Sequence, residues 1–244
     1  MQHLRQDLRV AVTGGTSGLG LALVRALHAQ GARVAFVARD AGRVQRVAAE
    51  LAELASTHAT HATHATHGTH GIVGDIANKT DTHRIALQIN AALGGLDVLV
   101  NNASSLGPVP LALLADTECE DLEAALAANL VGPFRLTKAL LGSLTASARE
   151  RGAALVVNIS SDAAVTPYAG WGAYGASKAA LLHLSRIWNE ELAEHGVHVV
   201  SFDPGDMDTP LHALAVPDAD PASLKRPADS ARELVAKIVA EVAA

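Results

Sequence analysis

TGGTSGLG, residues 13–20, sits between an apolar run, LRVAVTG (8–14), and a stretch with helical spacing from about Leu19 to Gln30. Gly14, Gly18 and Gly20 follow the pattern G-x-x-x-G-x-G. Glycine at such places permits a positive-φ turn and lets the backbone come close to a pyrophosphate. A helix that starts at Gly18–Leu19, just after Ser17, offers free N–H groups and the positive end of its dipole to an anion. The context of strand, glycine turn and helix points to a nucleotide-binding start more than the letters do.

The same alternation continues along the chain. ARVAFVAR (32–39), GIVGDI (71–76), LDVLVNNA (96–103), ALVVNISS (154–161) and VHVVSFDPG (197–205) read as five further strands. Helices are expected over about 41–55, 81–93, 116–128, 129–150, 172–195 and 228–242. Strands apolar on both faces and separated by helices predict a parallel sheet covered on both sides. With right-handed crossovers this is an α/β doubly wound, Rossmann-like fold of six strands. No composition break divides residues 1–244, so one catalytic domain is expected. Its ligand belongs beyond the carboxyl ends of the strands.

Composition excludes several other classes. The chain is 49% hydrophobic, only 3% aromatic, and carries a net charge of −6. Without clustered cations, no nucleic-acid partner is expected. No apolar stretch approaches the roughly 20 residues that span a bilayer, so no membrane partner is expected either. MQHLRQDLRVAVTGG (1–15) has no apolar h-region, and Cys119 is the lone cysteine. Both fit a cytoplasmic protein without a secretory signal. Cys119 lies in DTECEDLE, where carboxylates disfavour a thiolate.

The end of the second strand selects the cofactor. An acid there binds the free 2′-hydroxyl of NAD, and a cation there suits the 2′-phosphate of NADP. The chain reads AFVARD, with Ala38 at the expected acid position and Arg39 after it. NADP(H) is therefore favoured over NAD(H). Asp40 is a competing charge that could pair with Arg39 or Arg43. YGASK places Tyr174 and Lys178 four residues apart on one helix face. A phenol with a reference pKa of about 10 needs a neighbouring ammonium to work near neutrality. Such a pair can donate a proton to a carbonyl or accept one from an alcohol.

TGGTSGLG, NNA, ISS and YGASK occur in that order, each at its expected place in a doubly wound fold. From about Leu8 to Thr209 the sequence resembles the short-chain dehydrogenase/reductase family. The resemblance implies that Tyr174 is the general acid/base and that Lys178 lowers its pKa and holds the nicotinamide ribose. It implies that Ser161, thirteen residues before Tyr174, polarises the substrate, and that Asn129 in NLVGPF anchors a water relay. By the same resemblance Asp75 bonds the adenine amino group with Ile76 beside it, and Asn102 and Ala103 line the cofactor cleft. Pro204, Gly205, Met207 and Thr209 of PGDMDT match the loop that bonds the nicotinamide carboxamide. The implied activity is an NADP(H)-dependent interconversion of a carbonyl and an alcohol on a small-molecule substrate. The alternative is a cofactor-binding regulator or scaffold without turnover. Leu106, Val109, Tyr168, Trp171 and Leu211 are the candidate substrate-lining residues.

Three departures from the family pattern carry expectations of their own. Ser104 stands where the family has glycine, and a positive φ there would cost about 1 kcal/mol. No seventh strand follows the last helix, which favours a homodimer through the helices of 116–150 and 172–195, with a tetramer as the other possibility. THATHATHATHGTH (57–70) places histidine at every third position. It is expected to be a low-complexity surface insertion, because a catalytic metal needs ligands fixed by surrounding groups. No metal is assigned to the site, and residues 207–226 are expected to form a substrate lid.

Overall fold

In the computed structural model, which describes residues 5, 7–58 and 68–242, strand and helix alternate. The first half runs β1 (Arg9–Thr13), α1 (Gly18–Ala29), β2 (Arg33–Ala38), α2 (Ala41–His58), β3 (Thr69–Val73), α3 (Thr82–Leu93) and β4 (Val98–Asn101). The second half runs α4 (Cys119–Leu126), α5 (Gly132–Arg151), β5 (Ala154–Ile159), α6 (Gly172–Leu192), β6 (Val197–Phe202), α7 (Pro210–Ala215) and α8 (Pro227–Val242). The six strands form one parallel sheet in the order β3-β2-β1-β4-β5-β6. This is the doubly wound order, with its switch point between β1 and β4.

Side-chain alternation explains the two layers of helices. All five residues of β1 are buried, and successive side chains point to opposite faces. Val10 and Val12 join a core with Leu23 and Leu27 of α1, Leu51 of α2 and Leu234 and Ile238 of α8. Ala11 joins the other core, with Ile85 and Ile89 of α3 and Leu136, Leu140 and Leu144 of α5. The start of β1 is tied to the residue before β4. Asp97 is buried and accepts from the Arg9 amide at 2.8 Å and the Arg9 guanidinium at 2.7 Å. Burial pushes the Asp97 carboxyl up, but the bonds from Arg9 and Ser147 outweigh it and hold the group below the usual range.

Several local expectations change. α4 and α5 join through a π-helical turn, Ala127–Val131, a form common at functional sites. The segment 207–226, for which no helix was expected, contains α7, with Pro210 in its first turn and the Thr209 hydroxyl accepting from His212 N–H. β3 begins at Thr69, two residues earlier than its apolar pattern suggests. Thr69 and His70 pair with Val34 and Ala35. The expected strain at Ser104 is absent, because Asp7 is the only non-glycine residue at positive φ among those described. Of the histidine run, His61, His64 and His67 lie outside the described residues, His58 ends α2, and His70 belongs to β3.

Candidate active site

The carboxyl ends of all six strands open into one cleft of ≈ 610 Å³. Its walls are Gly14 and Ser17–Leu19 after β1, Arg39 after β2, Asp75 and Ile76 after β3, and Asn102–Leu106 after β4. Ile159–Asp162 after β5 and Asp203–Thr209 after β6 complete it, with Tyr174 and Lys178 of α6. Every predicted catalytic or cofactor-binding residue except Gly20 and Asn129 therefore faces this cleft.

Gly20 acts from behind the cleft. A Cβ on Gly20 would lie 2.2 Å from the Gly14 carbonyl oxygen, so only glycine lets the turn close on α1. Gly14 has φ +70° and donates its N–H to Val37 at 2.8 Å. The turn is then fastened to β4. The Thr13 hydroxyl accepts from the amides of Asn102 (2.9 Å) and Ala103 (3.0 Å), and the Asn102 side chain donates to the Thr13 carbonyl at 2.9 Å. Thr13 is a supporting residue that the glycine spacing did not reveal. Ser17 caps α1 without a side-chain bond, and the first-turn N–H groups have no intrahelical acceptor. This cradle fits a dinucleotide phosphate.

At the β2 end the competition around Asp40 is resolved. Its carboxylate accepts the Arg43 N–H at 2.9 Å, capping α2, and lies 3.6 Å from the Arg43 guanidinium. The bond from the Arg43 amide is the main reason its pKa is lowered. Arg39 is exposed and has no ion pair among the described residues. Asp75 spends one oxygen on its own loop, accepting Ala77 N–H at 2.9 Å. At the β6 end Pro204 is buried, with its carbonyl accepting from Ser230 Oγ at 2.9 Å. Thr209 packs against the start of α1, its Cγ2 3.2 Å from where a Gly18 Cβ would lie.

Tyr174, Lys178, Ser161 and Asn129 come together at the other end. Lys178 is buried, donates to the Ile159 carbonyl at 2.8 Å, and lies 5.5 Å from the centre of the Tyr174 ring. Burial outweighs the pKa lowering expected from this neighbour and pushes the Tyr174 phenol up to about 12. Hydrogen bonds with Ser161 and Ser104 work against the rise, and the charges of Asp203 and Asp162 add to it. Burial pushes Lys178 down to about 8, against the attraction of Asp203.

Asn129, in the π-helical turn, is 1% exposed and fully bonded. Its Oδ1 accepts Ser104 Oγ–H at 3.0 Å and Ser105 N–H at 2.8 Å. Its amide donates to the Ser105 carbonyl at 2.7 Å and to Ser177 Oγ at 2.8 Å. Ser177 in turn donates to the Tyr174 carbonyl at 2.6 Å. Asn129 thus bolts the loop after β4 to the helix that carries Tyr174. Ser104, Ser105 and Ser177 are site residues that sequence reading missed. The signal was the serine standing in place of glycine at 104, which was read as strain.

Leu106, Trp171 and Leu211 line the cleft beside Tyr174. Val109 and Tyr168 do not: they are 51% and 45% exposed, and the Tyr168 hydroxyl turns to Asp162 at 2.7 Å.

A family model for short chain dehydrogenases matches residues 9–220. Over 204 residues the chain is 33% identical to 2-(R)-hydroxypropyl-CoM dehydrogenase of Xanthobacter autotrophicus, covering 83% of this chain and 76% of that one. A short chain dehydrogenase of Escherichia coli CFT073, solved with NADPH, superposes with a TM-score of 0.84 at 25% identity, covering 99% of this chain and 93% of that one. One from Burkholderia cenocepacia, solved with NADP, gives 0.79 at 28% identity, covering 96% and 91%. Among the described residues, no helix is long and apolar enough to cross a membrane.

Proposed function

Because the chain belongs to the short-chain dehydrogenase/reductase family, we propose that it is an NADP(H)-dependent oxidoreductase in which Tyr174 moves the proton between a carbonyl and an alcohol. The observation that carries this reading is the convergence of Tyr174, Lys178 and Ser161 at one end of the dinucleotide-sized cleft. A nicotinamide cofactor, when bound, would supply or take the hydride at the substrate carbon. The protein's part is to place and move a proton. Tyr174 O–H faces the space where a substrate oxygen sits, and Ser161 steadies that oxygen. Lys178 holds positive charge beside the phenol and favours the phenolate formed when the proton leaves. Asn129 fixes the loop and helix that frame the pair.

NADP(H) is favoured by the free Arg39 guanidinium, whose planar fork suits a phosphate. The engagement of Asp40 with Arg43 supports this, because no carboxylate then competes for Arg39. The bound NADPH and NADP of the two solved relatives point the same way. The secondary alcohol in the name of the Xanthobacter relative fits a small hydroxy or oxo substrate. Leu106, Trp171 and Leu211 would give that substrate an apolar wall. Residues 207–226 would act as its lid, anchored where Asp208 N–H meets the Lys225 carbonyl at 3.0 Å. Replacement of Tyr174 by phenylalanine tests the assignment. It should abolish turnover and leave NADPH binding intact, whereas substantial remaining turnover would refute the role of Tyr174.

A further inference from the structure

Three segments meet around Tyr174: 106–114 after β4, 163–171 before α6, and 211–216 in and just after α7. Leu106 and Leu111 of the first, Trp171 of the second, and Leu211 and Ala215 of the third form one apolar cluster with Tyr174. Leu114 lies over Gly172 and brings the first segment against the start of α6. The three read LGPVPLALL, AAVTPYAGW and LHALAV. They hold no Lys, Arg, Asp or Glu, in a chain that is 18% charged.

Their apolar side chains do not all turn inward. Leu113, Leu114, Val165, Leu214 and Val216 are 56%, 67%, 77%, 51% and 37% exposed. Most of the large apolar side chains exposed among the described residues lie on these three segments. Single exposed leucines are ordinary, but an apolar rim gathered around a cleft marks a surface that a ligand or partner covers. Aromatic rings lead from the rim inward. The Tyr168 ring is centred 6.3 Å from Trp171, and Trp171 is 5.7 Å from Tyr174. The Tyr168 hydroxyl is spent on Asp162, so its ring is what remains to meet a ligand.

Charge narrows the choice. Among the described residues, the Lys and Arg side chains that line the cleft are Arg39, Arg43 and Lys178. The two arginines stand at the β2 end, which is assigned to the cofactor. Lys178 is 3% exposed and already donates to the Ile159 carbonyl. Asp162 and Asp206 also line the cleft. An anionic substrate would meet carboxylates near Tyr174 and no free cation to replace its lost water.

Building on the carbonyl–alcohol reading above, we infer that the substrate is uncharged and carries its oxo or hydroxyl group on an extended apolar body. The reacting group sits at Tyr174. The body runs past Trp171 and Tyr168 and is covered by the rim. The rim is continuous with the cleft through the Tyr174 cluster, and it shares no residue with the apolar face of α5 and α6.

The test is calorimetric titration of the protein, saturated with NADPH, with secondary alcohols from 2-butanol to 2-decanol. Reduced cofactor and alcohol cannot react, so binding is read apart from turnover. Affinity should rise about twofold or more for each added methylene. The carboxylate analogue of the longest alcohol, 9-hydroxydecanoate, should bind about tenfold or more weakly than 2-decanol. Leu114→Ser with Leu214→Ser should flatten the dependence on chain length. Both side chains are exposed, and unchanged near-ultraviolet dichroism would show that the variant is folded; the wild-type series stands as a test without it. Length-dependent binding upholds the inference about the rim even if no carbonyl compound turns over. Affinity that ignores chain length, or equal binding of the carboxylate, overturns it even in an active reductase. Self-association of the wild-type protein that the two serines abolish, without any dependence on chain length, would give the rim to a second copy and also overturn it.

Discussion

Lys178 Nζ donates to the Ile159 carbonyl at 2.8 Å, and this bond fixes a buried ammonium 5.5 Å from the Tyr174 ring centre. One neutral acceptor and one ring face are poor compensation for a cation removed from water.

Replacement of Lys178 by methionine should therefore stabilise the protein at neutral pH while removing its activity. Burial lowers Lys178 to about 8 from an ordinary 10.5. Between these values the unfolded chain binds more protons than the folded one, so stability rises with pH across that window. Below about 8 the folded protein carries the full cost of the buried charge. Lys178→Met should gain about 1 kcal/mol or more at neutral pH, lose the rise between pH 8 and 10.5, and lose about a hundredfold or more in turnover. Urea unfolding at several pH values checks the first two, and steady-state rates check the third.

Asn129→Asp is close in size but lacks the amide that serves the Ser105 carbonyl and Ser177 Oγ. Two buried acceptors and a new buried charge follow. A loss of about 2 kcal/mol or more is expected, read as a lower urea midpoint, together with reduced turnover.

Gly20→Ala puts a methyl group 2.2 Å from the Gly14 carbonyl oxygen, a backbone atom that cannot give way without opening the turn. NADPH binding should fall below detection in a fluorescence titration, and the melting temperature should drop. Retention of tight binding would contradict the role given to the turn.

Arg39→Ala should weaken NADPH binding about tenfold or more, the value of one charge-assisted contact, and leave NADH binding nearly unchanged. Equal effects on the two cofactors would contradict the NADP assignment.

We propose that the apolar face shared by α5 and α6 is the contact of a homodimer. Phe134 stacks on Trp188 there at 5.2 Å, beside Leu141 and a 42% exposed Ile187. Sedimentation should give a dimer at micromolar concentration, and Ile187→Glu should shift it towards monomer. A tetramer would contradict the proposal.

The fold was legible because its strands are buried on both faces, so LRVAVTG and ALVVNISS stand out as apolar runs. Edge strand β3 was harder. Three of its five residues are exposed, and backbone pairing with β2, not an apolar pattern, fixes its start. α7 was hidden among prolines and acids although Thr209–Pro210 is a helix-start signal. At the site, glycine spacing and YGASK located the cleft. What spacing could not supply was direction. Sequence alone does not say that the Tyr168 hydroxyl is spent on Asp162, that Asp40 caps α2, or that Ser104 reaches Asn129. Nor does it reveal how deeply Tyr174 and Lys178 are buried, and that burial moves the Tyr174 pKa against the expected direction and lowers that of Lys178.

The most direct test of the central claim is the loss of NADPH absorbance by the purified protein across a panel of ketones, aldehydes, diketones and quinones, repeated with NADH and with Tyr174→Phe. The account predicts turnover with NADPH, much less with NADH, and none in the variant. Tight NADPH binding by the wild-type protein with no turnover on any compound would contradict it and favour a cofactor-binding regulator.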